Sequence, residues 1–82
     1  MAAKRIENMS QLDASQISYW KDENGWWVYL PGCGAGRISK HSVEEHDDGT
    51  ITVSPSILMH GHRHGEPTTK HGYLEHGEWR DF

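Results

Sequence analysis

From Ile17 onward, apolar and aromatic residues come in short runs separated by Gly, Asp, Asn and Pro, a pattern that predicts strands and tight turns. Ile17-Ser-Tyr-Trp20 and Trp26-Trp-Val-Tyr-Leu30 flank Lys21-Asp-Glu-Asn-Gly25, whose Asn-Gly pair is a hairpin signal. In the second of these strands Trp26, Val28 and Leu30 share one face, and Trp27 and Tyr29 share the other. Both faces are apolar. The strand is therefore expected to be central, or to turn one face to another molecule. Arg37–Val43 is a weaker strand candidate, and Glu44–Gly49 an acidic surface loop that lacks the ligand spacing of a calcium loop. Thr50–Val53 alternates, Ser54-Pro55-Ser56 interrupts it, and Ile57–His60 resumes. Pro55 has no N–H to donate to a ladder, so it marks an edge or a bulge. A last hairpin is expected from His71–Leu74 and Glu78–Arg80, turning around Glu75-His76-Gly77.

Residues 1–16 break the pattern. They hold no aromatic side chain, and Ile6, Met9 and Leu12 allow only one weak helical stripe. A helix that short is marginal in water. The stretch reads as an arm, outside a β domain spanning 17–82, that orders against a partner.

Eighty-two residues with 34% hydrophobic content make one domain with a thin core, and a domain of this size is marginal without a staple, a metal or a partner. The four Trp and three Tyr are expected to carry much of that core. A single cysteine excludes an internal disulfide, which fits a reducing cytoplasm or an assembly made there. No apolar run reads as a secretory signal or a membrane span. The formal net charge of -4 argues against general nucleic-acid binding. Arg37, Lys40, Arg63, Lys70 and Arg80 are too scattered to read as a basic face.

The candidate chemistry lies in two places. Pro31-Gly32-Cys33-Gly34 follows a strand and carries the only cysteine, the shape of a zinc knuckle. Leu30, however, stands where the first ligand of a Cys-x-x-Cys pair belongs. His60, His62 and His64 alternate, so a strand would set all three imidazoles on one face. A tetrahedral Zn²⁺ site would need Cys33 and His71 together with two of these three histidines. Leu30 and Lys70 argue against a retained site, and no bound cofactor is expected. Catalysis has little support: His-Glu-x-x-His is absent, Glu45 and Glu66 have no fixed spacing to the histidines, and Cys33 sits in a turn that packing alone explains. The exposed aromatic and apolar positions expected to meet a protein partner are Trp26, Trp27, Tyr29, Ile6 and Met9.

Trp27–Ile38, then Thr52-Val-Ser-Pro-Ser-Ile-Leu58, then His71–Trp79 resemble, in order, a small phage-borne zinc-ribbon-like family. That family runs as Cys-Pro-Gly-Cys, Ser-Pro-Ser-Ile-Leu and Cys-His, and is sometimes labelled ammonia monooxygenase. The resemblance covers about residues 26–80, with Leu30 and Lys70 in place of two cysteines and Cys33 and His71 kept. It implies a phage or prophage source and brings no activity with it. The expected fold is a small antiparallel β sandwich or open barrel of roughly five to seven strands, zinc-ribbon-like, with a short N-terminal arm. The expected function is non-enzymatic: a virion-associated capsid decoration or cement subunit that binds the phage capsid or its own copies. The alternatives are a phage protein that inhibits a host enzyme or defence complex in the host cytoplasm, and a zinc-binding accessory protein.

Overall fold

The two aromatic stretches become paired strands in the computed structural model, which describes residues 1–82 apart from the Arg63 side chain. The domain is all-β, with two open four-stranded sheets. Sheet 1 holds β1 (Lys4–Arg5), β2 (Ser18–Asp22), β3 (Gly25–Leu30) and β4 (Gly34–Arg37), and sheet 2 holds β5 (Ser42–Glu45), β6 (Ile51–Arg63), β7 (Glu66–Glu75) and β8 (Glu78–Asp81). Each sheet follows chain order, and every pair is antiparallel except β1 with β2. That makes eight strands, more than the sequence suggested, because Arg37–Val43 divides between two sheets and the N-terminus supplies one.

The inner faces meet in one core. Tyr19, Val28 and Leu30 from sheet 1 pack in a single buried cluster with Ile51, Val53 and Leu74 from sheet 2. The Tyr19 ring reaches across it: a Cβ on Gly77 would lie 3.1 Å from the Tyr19 hydroxyl. Burial raises the pKa of that phenol. Pro55 lies in a bulge, where its missing N–H is tolerated, with the three residues between Val53 and Ile57 set against the single residue between Leu74 and Gly72.

Residues 1–16 do not stand off as an arm. The Ala3 N–H donates to the Gly77 carbonyl and the Trp79 N–H to that of Met1, so residues 1–3 run beside β8 of sheet 2. The chain then crosses to sheet 1, where Lys4 and Arg5 pair in parallel with Ser18 and Tyr19. Arg5 closes the link with a 2.8 Å bond to the Glu45 carboxylate on β5 and another to the Gly49 carbonyl. That guanidinium holds the Glu45 carboxyl below its ordinary pKa. The segment works as a staple between the sheets. The weak stripe of Ile6, Met9 and Leu12 forms no α-helix; Asn8 caps a single 3₁₀ turn over Met9–Gln11.

The hairpin of β6 and β7 is the longest element. Its tip, His64-Gly65, has φ of 52° and 80°, the doubly positive pattern of a type I′ turn. His76-Gly77 repeats it between β7 and β8, at 49° and 74°. Histidine is among the few non-glycine residues that tolerate this region.

Candidate interaction surface

The glycine turn is a docking floor for the long hairpin. Pro31 and Gly32 take the central positions of a turn closed by the Cys33 N–H donating to Leu30 O at 2.9 Å. Gly32 has φ +86°, as the type II pattern needs. Gly61 of β6 lies directly on this turn: a Cβ there would fall 2.5 Å from the Cys33 Cα and 2.6 Å from its carbonyl oxygen. Two positions earlier on the same face, Met59 packs over Gly36, where a Cβ would meet its terminal methyl at 2.8 Å. Thr68, opposite Gly61 on β7, donates to Gly32 O at 2.7 Å. The Cys33 Sγ is half-buried, 3.6 Å from Met59 O and 3.7 Å from Thr68 Oγ1.

This contact decides the fate of the metal candidates. Gly61 faces Cys33, so by strand alternation His60 and His62 face away from it. His60 instead meets Thr69 across the strand pair, its Nδ1 3.2 Å from the hydroxyl, and His64 occupies the turn. His71 lies on the outer face too, its Nε2 2.9 Å from Ser56 Oγ and its ring stacked on Phe82 at 4.1 Å. Among the described residues, no three His, Cys, Asp or Glu side chains converge on one point. Cys33, His60, His62, His64 and His71 therefore do not fit a zinc centre in this fold. Leu30, at the position of the missing cysteine, is fully buried in the core. No histidine is hydrogen-bonded to Cys33, and Glu45 is engaged by Arg5.

The expected contact residues also need correcting. In β3 the alternation holds, but the outer residues Trp27 and Tyr29 are half-buried by the chain's own side chains and N-terminal segment. Register sets Ile6 beside Trp20, and the two are 5% and 3% exposed while lying outside the central cluster. Trp27 stacks on Trp20 with centroids 6.0 Å apart, donates Nε1–H to Asp22 and carries Arg37 on its other side at 5.1 Å. The Tyr29 hydroxyl donates to Ala14 O. Trp26 belongs to the edge of the inner core, 6.4 Å from Tyr19 and flanked by Arg5 and Lys21. Of the five positions, only Met9 stays well exposed. The basic residues are dispersed: Arg37 lies on sheet 1 and Arg80 on sheet 2, while the Arg63 side chain lies outside the described residues.

A different surface is left bare. On the outer face of sheet 2, Leu58 pairs with His71 and Tyr73 with Arg80. Phe82 stacks on both His71 and Tyr73. Leu58 is 55% exposed and Phe82 75%, and the Arg80 guanidinium lies 5.2 Å above the Tyr73 ring. This strip was not visible as a unit in the sequence. His71 and Tyr73 alternate outward, but only the register of β6 and β8 places Leu58 and Phe82 beside them.

No family model, curated protein or solved structure matches this chain.

At one end of the strip, Glu75 opposes Glu78, and His46 stacks on His76 with centroids 3.7 Å apart. His46 also bonds Thr52 at 2.7 Å and lies 3.4 Å from Glu44. At the other end, His62 opposes Pro67. A shallow depression elsewhere is lined by Ala14, Ser15, Pro31 and Gly32, which offer no charged group. Leu58 and Phe82 are the most exposed large apolar side chains outside residues 1–16.

Proposed function

We propose that this chain is a non-enzymatic interaction protein, a phage structural subunit that decorates or cements a capsid and binds through the outer face of sheet 2. The observation carrying this reading is the strip in which exposed Leu58 and Phe82 flank half-buried His71 and Tyr73, on a body whose other outer sheet face buries Ile6 and Trp20. A contiguous aromatic patch on a small domain marks a contact surface, since aromatic anchors dominate the energy of protein interfaces. The phage setting rests on the resemblance over residues 26–80. The N-terminal staple supports it by giving a thin-cored domain internal bracing before it meets a partner.

The test is quantitative mass spectrometry of purified particles from the source phage. A decoration subunit is expected at a fixed, capsid-like copy number, and Phe82→Ser should strip it from the particles. Absence from washed particles would overturn the virion reading and favour a host-directed inhibitor.

A further inference from the structure

We infer that the stacked His46–His76 pair is a pH-sensitive latch, which holds the N-terminal staple against sheet 2 near neutral pH and loosens it on acidification. The device is separate from the face proposed for binding and does not depend on it.

The two rings sit where the staple is anchored. His46 begins the β5–β6 turn, in which the Gly49 carbonyl accepts a hydrogen bond from Arg5. His76 begins the β7–β8 turn, in which the Gly77 carbonyl accepts from the Ala3 N–H. The rings lie parallel to within 6°, with centroids 3.7 Å apart, and so clasp one anchoring turn to the other. They close over two bonds that tie the β7–β8 turn to the start of β6. The His76 N–H donates to Thr52 Oγ1 and the Gly77 N–H to Ile51 O, each at 3.0 Å.

The surroundings suit one proton on the pair and oppose two. Glu44 Oε1 lies 3.4 Å from His46 Nδ1, and the Thr52 hydroxyl lies 2.7 Å from His46 Nε2. Both ring N–H groups of an imidazolium at His46 therefore have acceptors. Asp48, held ionised by hydrogen bonds from Thr50, is close enough to feel both rings. Such an imidazolium can still lie on a neutral His76. A second proton sets two like charges at stacking distance, with the His46 side chain only 15% exposed.

The other charged neighbours are already engaged or lie in solvent. Arg5 takes Glu45, Arg80 takes Glu75, and the Met1 amine lies 3.5 Å from Glu78. Asp47 is exposed in the same turn as Asp48, and burial keeps the Tyr19 phenol, beneath Gly77, neutral. Histidine is the side chain that changes charge between about pH 5 and 8. The closed latch binds fewer protons than the open one, so closure is favoured at higher pH and lost as pH falls.

Amide hydrogen exchange of the full chain, followed by NMR at about pH 7.5 and pH 5 and corrected for the intrinsic pH dependence, tests this. The amides of Ala3 and Trp79 donate to the Gly77 and Met1 carbonyls. At the lower pH they should lose protection by roughly tenfold, while Val28 in the middle of sheet 1 keeps its own. His46→Phe leaves a ring to stack on His76 but only one that can charge, so Ala3 should stay protected at both pH values. His76→Asn removes the stack with a residue that tolerates the φ of 49°, so Ala3 should exchange fast at both. Equal protection of Ala3 at the two pH values in the wild type would overturn the inference. So would a loss at pH 5 that persists in His46→Phe, or His76→Asn as well protected as the wild type at pH 7.5.

Discussion

The two sheets present their outer faces very differently. On sheet 1, the N-terminal segment sets Ile6 beside Trp20 and the Ala14 carbonyl against the Tyr29 hydroxyl, and Ile6 and Trp20 are nearly removed from water. On sheet 2, Leu58, Tyr73 and Phe82 form a patch of similar chemistry over which, among the described residues, no other segment folds. Neither face can be recognised from its aromatic content. What separates them is whether another segment reaches the face. The stapling of residues 1–6 to both sheets brings the N-terminal segment to sheet 1 and leaves sheet 2 bare.

The largest expected effect comes from uncovering sheet 1. Ile6→Ala should cost about 2–5 kcal/mol of unfolding free energy, the range for removing a buried aliphatic side chain, read by urea denaturation. Deleting residues 1–6 should cost more, since it also removes β1 and the contacts with β8. A truncated chain as stable as the full one would show that the face needs no cover. Next is the hairpin's seat. In Gly61→Ala the new methyl would meet the backbone of Cys33, which cannot swing aside as a side chain can, so about 1–3 kcal/mol should be lost.

On the bare face the same experiment should give almost nothing. Leu58→Ser and Phe82→Ser should change monomer stability by roughly 0.5 kcal/mol or less, and a loss like that of Ile6→Ala would show the strip to be core. The smallest effect should be electrostatic. Hydrogen bonds from the Thr50 side chain and backbone lower the pKa of Asp48, and Arg5 lowers that of Glu45. Carboxyls whose pKa is depressed on folding stabilise the fold above their unfolded values, and that contribution is lost as pH falls through the folded ones. Glu45→Gln and Asp48→Asn lack that contribution, so they should lose a little stability near neutral pH, and their acid unfolding below about pH 4 should set in at slightly higher pH. Both groups are exposed, so the shift should be small. It is read by tryptophan fluorescence against pH.

Strand chemistry was plain in the sequence where alternation was strong. The faces of Trp26–Leu30, the Pro55 bulge and the final hairpin all follow from local rules. The long hairpin was obscured because its turn is His64-Gly65; Asn at that position would have signalled it, whereas histidine reads as chemistry. Residues 1–6 were illegible for another reason: a two-residue parallel strand is fixed by partners at Ser18 and Tyr19, and its own sequence carries almost no period. Cys33 and the histidines suggested a metal because spacing alone does not tell which way a strand faces. Gly61 supplies that answer, since the smallest residue marks where two backbones touch, and the flanking histidines must point elsewhere.

The central claim is that the bare face of sheet 2, and not the tryptophan face of sheet 1, is where this protein meets another. A ¹H–¹⁵N correlation spectrum of the full chain, recorded while purified capsid protein of the source phage is added, reports on both faces at once. Binding should shift or broaden the amides of Leu58, His71, Tyr73 and Phe82, with the Trp27 indole and the Tyr29 amide unmoved. Shifts centred on Trp27 and Tyr29, or none on either face, would contradict it.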